Sequence, residues 1–352
     1  MAYTDIDNPE LYFQTKLYTG NGGSQSITLD GDTDMQPDMI YIKERDAAHS
    51  SSVIDSVRGV RKTLTSDENA AEITESAGLS AFDSDGFSFD GVGGNHVNDG
   101  SQPTVAWCWK AGTAFTNDAS STSVGSIDSA GSVSTTAGFS IISYTGTGSV
   151  GTVAHGLGAV PKMILFKNRS RASNWLVYHE ALGNTNNMYL DAVNATHDRS
   201  NTFNDTSPTS SVFTVGTADL NISGDSIIAY CFADVQGYSK FGSYTGNGNA
   251  DGTFIYTGFK PAFVMTKPSN KTGEWFMIDN KRDPSNYVRR RLKANSNAAE
   301  NTDDNQDFDI LSNGFKARRN AGDWNSSGDT FIYMAFAENP FVTSTGVPAT
   351  AR

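Results

Sequence analysis

The residues of this 352-residue chain best suited to nucleophilic or metal chemistry are two cysteines and five histidines. His49, His96, His155, His179 and His197 stand singly, with no His-x-x-x-His or Cys-x-x-Cys spacing, so no stretch of sequence presents a local metal set. His155 sits in the glycine-bounded turn Ala154-His155-Gly156-Leu157-Gly158, a structural position. Cys108 and Cys231 occupy matching places in two similar apolar runs and are expected to be small, buried and reduced. Neither a Gly-x-Ser-x-Gly elbow nor a Gly-x-x-x-x-Gly-Lys loop occurs. Asp30-Gly31-Asp32-Thr33-Asp34 starts like a calcium loop, but Met35 and Tyr41 stand where the turn glycine and the bidentate glutamate belong. Carboxylate pairs such as Asp83 and Asp85 are expected by number alone among 39 acidic residues. The chain reads as a non-enzyme that needs no cofactor or metal.

The charge balance narrows the partners. A net charge of −13 repels phosphate backbones and speaks against nucleic acid. One basic cluster interrupts it: Lys281, Arg282, Arg289, Arg290, Arg291 and Lys293. It is either a solvated face or a docking patch for an acidic protein or an anionic surface glycan. No apolar run approaches the roughly 20 residues of a membrane span. The first residues lack a basic and then apolar signal pattern, which implies synthesis and assembly in a cytoplasm. Residues 1–16 hold Tyr3, Ile6, Leu11, Tyr12 and Phe13, too apolar for an idle tail. They are expected to form an anchoring arm that orders on a neighbouring subunit or a larger assembly.

What must position these groups is a repeated module. Tyr-Thr-Gly-x-Gly begins at Tyr18, Tyr144 and Tyr244. A proline-led apolar run closed by lysine follows each time: Pro37 to Lys43, Pro161 to Lys167, Pro261 to Lys267. A second apolar run comes next, then a glycine (Gly100, Gly224, Gly328) and a closing run around Trp107, Tyr230 and Met334. Short runs rich in β-branched and aromatic residues, bounded by Gly, Asn, Asp and Ser, predict strands. The expected fold is all-β: three tandem β-sandwich, jelly-roll-like domains of about 100 residues from an internal triplication. The boundaries are 17–112, 138–238 and 239–341, with a C-terminal tail at 342–352. The Ser/Thr/Gly-rich stretch 113–137 is expected to be a flexible linker that hinges the first domain. Short helices are expected over 67–77 and 287–299. In each closing run, the face carrying Trp109, Phe232 and Phe336 and the face carrying Cys108, Cys231 and Ala335 should be a core and an interdomain or intersubunit contact.

Leu17 to Gly22, Gln36 to Lys43, Phe82 to Phe87 and Val105 to Lys110 together resemble a module of tailed bacteriophages, especially marine ones. The ending Ala335 to Phe341 with Gly346 to Arg352 is similar to the terminus of the same proteins, which are described as tail fibre or structural proteins. The resemblance implies a virion protein, most simply a tail fibre or appendage that contributes to host attachment. The alternative is a capsid decoration protein or head fibre held by the N-terminal arm. It further implies other virion proteins as partners, a homo-oligomer with a trimer favoured, and contact with host cell-surface glycan.

Overall fold

The computed structural model describes residues 2–301, 308–318, 320 and 322–350. The chain is all-β, with 42% strand against 5% helix. Three main sheets carry the sequence landmarks in one spatial order. Each opening strand (Phe13–Thr19, Phe139–Thr145, Ser239–Thr245) lies beside a closing strand (Pro103–Trp109, Ser226–Phe232, Thr330–Pro340). Next comes the proline-led strand (Met39–Glu44, Met163–Asn168, Phe259–Pro268), then the second apolar strand (Ser52–Asp55, Leu176–His179, Phe276–Asp279). The registers agree as well: Met39 faces Trp109, Met163 faces Phe232, and Phe263 faces Phe336.

The Tyr-Thr-Gly-x-Gly motif clamps the opening strand to the chain that leads into the closing strand. Tyr18, Tyr144 and Tyr244 donate their hydroxyls to the carbonyls of Val97, Leu220 and Trp324. The first glycine has no room for a side chain. A Cβ on Gly20, Gly146 or Gly246 would lie 2.1–2.2 Å from the carbonyl oxygen of Asp99, Ile222 or Ser326. The second glycine (Gly22, Gly148, Gly248) takes φ between +63 and +77°. Its N–H donates to the carbonyl of a fully buried asparagine: Asn98, Asn221 or Asn325. Three residues beyond that asparagine the backbone is left-handed, at Gly224 and Gly328 and, in the first copy, at Ser101 with φ 67°. The equivalent of those two glycines is therefore Ser101 rather than Gly100.

Each main sheet packs one face on a smaller sheet. The covers are Ser24–Ile27 with Gly86–Asp90 and Leu79–Asp83, then Gly151–Ala154 with Val212–Val215, then Phe254–Tyr256 with Gly314–Ala317 and Phe308–Leu311. Cys108, Cys231 and Ala335 point into these three separate cores. Both cysteines are free and buried. Small residues there let the two sheets approach closely.

The opposite faces meet in one shared core. Phe13, Trp107 and Trp109 pack there with Phe139, Tyr230 and Phe232 and with Phe263, Met334 and Phe336. A small apolar void of about 30 Å³ remains at its centre. The three units are thus joined back to back, not strung in a row. The contacts run in one sense, first to second to third to first. Asp55 accepts from the Tyr230 hydroxyl (2.6 Å), His179 Nε2 meets the Tyr333 carbonyl (3.2 Å), and Asp279 accepts from Trp107 Nε1 (3.1 Å). The amides of Glu72, Thr196 and Glu300 likewise donate to the carbonyls of Arg169, Ser269 and Arg45.

Two expectations are corrected here. The segment 113–137 is no hinge: Thr113–Asn117 and Ser129–Ser134 add to the edge of the second unit's sheet. Sheet addition is satisfied by backbone hydrogen bonds, which a serine-rich composition neither encodes nor forbids. The stretches expected as helices carry only the short strands Ile73–Thr74 and Leu292–Lys293, so tertiary pairing overrides a weak propensity.

Candidate functional site

The apolar residues of segment 1–16 turn inward. Ile6 joins the shared core, and Phe13 stacks on Phe336 with ring centroids 5.2 Å apart. Tyr12 packs edge-on against Tyr238, and Leu11 is half-buried in the turn Pro9–Leu11. Tyr3 lies edge-on to Phe341 and donates to the Gly258 carbonyl at 2.7 Å. The arm is therefore not offered to a neighbour as expected. Its apolar side chains pack on the chain's own core instead. Beyond Phe341 the chain also returns to this segment, where Asp7 accepts from the Ser344 amide at 2.6 Å. Ala351 and Arg352 lie outside the described residues.

Tyr3 forms one wall of a surface cleft of about 450 Å³, with Asp234, Gln236, Lys240, Tyr256 and Thr257 among its other linings. The two phenol oxygens, of Tyr3 and Tyr256, stand 3.3 Å apart. Tyr256 is 54% exposed and Phe254 43%, while Ile255 between them is buried. Side chains alternate along a strand, so both aromatic rings share the solvent face of Phe254–Tyr256, an edge strand of its sheet. Lys240 pairs with Asp234 at 2.6 Å, and the second oxygen of Asp234 accepts the Phe241 amide. Burial, then the hydrogen bond with Tyr256, pushes the Tyr3 phenol up, so it stays a neutral donor. Exposed aromatic faces beside an ammonium, a carboxylate, an amide and phenols suit a polyhydroxylated ring, whose C–H face stacks while its hydroxyls hydrogen-bond. Sequence reasoning missed this pair. The signal was Phe254-Ile255-Tyr256, a strand apolar on both faces just before a Thr-Gly turn.

The basic cluster is dispersed by pairing and burial. Arg282 is fully buried and clasps Asp279 (2.6 Å) and Glu300 (3.0 Å). Arg291 is 3% exposed, its guanidinium 5.7 Å from the Phe276 ring and bonded to Asn301. Arg290 lies near Asp283 and Glu300, and Lys293 pairs with Glu274 at 2.9 Å. Arg289 lies over the Tyr287 ring, and Lys281 is exposed at the edge of another cleft. These six side chains do not form one open face, because buried cations need partners before solvent does. Arg58 repeats the Arg282 arrangement in the first unit, bonded to Asp55 (2.5 Å) and Glu72 (3.2 Å). Lys43, Lys167 and Lys267 also match one another. Each is buried and donates to the carbonyl six residues on, at His49, Ser173 and Gly273. Burial holds each ammonium down at about 8. Arg58 also reaches the Tyr230 hydroxyl of the second unit and Lys43 the Ser296 carbonyl of the third, so these groups are engaged within the fold rather than turned to a ligand.

Fold and surface together define an all-β protein of sandwich type with a solvent-facing aromatic cleft. The chain belongs to the family described as a domain of unknown function, DUF7483, whose model matches residues 8–340. That single match runs through all three units, as the shared core does. No curated protein and no solved structure matches the chain.

Proposed function

We propose that this chain is a non-enzymatic structural protein of a tailed-phage virion, a tail fibre component or similar appendage that contributes to attachment on host-surface glycan. The virion setting rests on the resemblance of the repeated motifs. The observation that carries the attachment role is the cleft of Tyr3, Asp234, Lys240 and Tyr256, with Phe254 beside it. A rigid strand presents the two aromatic rings, so little ordering entropy opposes a weak contact, and several copies on one particle would add avidity. The test is binding of the purified full chain to host envelope polysaccharide. Tyr256→Ala combined with Phe254→Ala is expected to weaken it by about 2- to 10-fold per ring lost, the scale of one aromatic contact. Equal binding by the variant removes the cleft from the reading.

A second reading, a capsid decoration protein or head fibre, is favoured by the closed arrangement of the three units. Such a body has little reach, and it offers three similar lobes to one position on a shell. Other virion proteins are partners in both readings, and a homo-oligomer, with a trimer favoured, belongs to the particle-bound state. An antibody-labelled map of the whole virion separates tail from capsid.

A further inference from the structure

Glu44 ends the proline-led strand of the first unit with its side chain fully buried. One carboxylate oxygen, Oε2, meets His49 Nδ1 at 2.6 Å, and the other, Oε1, is buried with no hydrogen-bond partner among the described residues. A half-satisfied buried carboxylate calls for positive charge close by. His49 stacks on His96, with ring centroids 3.7 Å apart and planes inclined by 11°. His96 in turn holds Asp99 through Nδ1 at 2.7 Å. Donor atoms of His49, His96 and Asp99 all lie within 4.8 Å of one another.

We propose that His49, His96 and Asp99 bind a divalent cation of the zinc class, with Glu44 as the positioning residue behind His49. Each neutral imidazole that gives its Nδ1–H to a carboxylate keeps the Nε2 lone pair for a metal, and a carboxylate behind a histidine is the usual support of such ligands. Two imidazoles and one carboxylate select a borderline ion over calcium or magnesium, which take oxygen. Asp99 must let go of His96 Nδ1 to reach an ion on Nε2, and its side-chain exposure of 31% leaves it free to move. The rings must turn for their lone pairs to converge, and side-chain exposures of 31% for His49 and 44% for His96 leave them the freedom to do so. The two loops are fixed around them. Lys43 holds the His49 carbonyl, and Asn95 reaches across to Ser51, Ser52 and Thr65. His96 itself sits in the left-handed region with φ 59°.

The full chain, stripped with a chelator and shown to be folded by far-UV circular dichroism, is titrated with Zn²⁺ by calorimetry and with Co²⁺ by visible absorbance. One equivalent is expected in the wild type and none at comparable affinity in His49→Ala combined with His96→Ala. Glu44→Gln is expected to weaken binding by about 10- to 100-fold while the Co²⁺ spectrum keeps its ligand set. His96→Ala, on an exposed loop, carries the test where Glu44→Gln does not fold. Identical titrations of the wild type and the double variant overturn the site. An undiminished affinity in folded Glu44→Gln overturns the role of Glu44.

Discussion

At the scale of the residue, the repeated motif is explained by sterics and hydrogen bonds rather than by ligand chemistry. The tyrosine hydroxyl, two glycines and a buried asparagine form one clamp, used three times. The first copy breaks the pattern at one position, where Ser101 takes the left-handed conformation that glycine supplies in the others. A side chain there costs about 1 kcal/mol, so Ser101→Gly is expected to stabilise the protein by about that amount. The check is the urea midpoint, which should rise with an unchanged slope; a lower midpoint would mean that the serine hydroxyl contributes more than its backbone costs. Tyrosine, glycine and lysine were legible in the sequence because they recur at fixed spacing. The clamp asparagines were not, since Asn98, Asn221 and Asn325 are three among many and only their burial marks them.

At the scale of the element, the closing strands were legible as strands but their surroundings were not. Val105-Ala106-Trp107-Cys108-Trp109 has no polar alternation, which announces burial on both faces without saying what covers each. The small face turned out to be a sandwich core and the aromatic face a junction between units. Likewise His49 and His96 are distant in sequence and are brought together by two loops, which no spacing rule foresees. The junctions have a pH consequence at His179, the last residue of its strand. Its Nδ1 accepts the Ala181 amide, so Nε2 carries the proton that reaches the Tyr333 carbonyl. Burial, the largest influence, lowers its pKa from 6.5 to about 4. The fold therefore keeps the neutral ring, while the unfolded chain takes up a proton first as the pH falls. Stability from this contact is complete above pH 6.5 and is lost progressively down to about pH 4. Asp191, raised by burial to about 6, acts in the opposite direction over the same range. His179→Gln should flatten the fall in urea midpoint between these limits relative to the wild type, and an unchanged slope would place the titration elsewhere.

At the scale of the whole molecule, three sandwiches share one apolar centre, so none is complete alone. The excised segment 138–238 would expose Phe139, Ile141, Met163, Tyr230 and Phe232, all buried in the intact chain. It is expected to be insoluble or molten, and the full chain to unfold in one calorimetric transition. A soluble segment with sharp melting would mean that the shared centre adds little. The closed centre also sets a timetable for synthesis. Phe13 packs against Phe263 and Phe336, which leave the ribosome long after it. At about 5–20 residues per second, its strand and the tryptophans of the first sheet wait on the order of 15–60 s with an aromatic face uncovered. Slower initiation, which spaces nascent chains apart, and chaperones that hold such surfaces should raise the soluble yield more than any change to the finished protein.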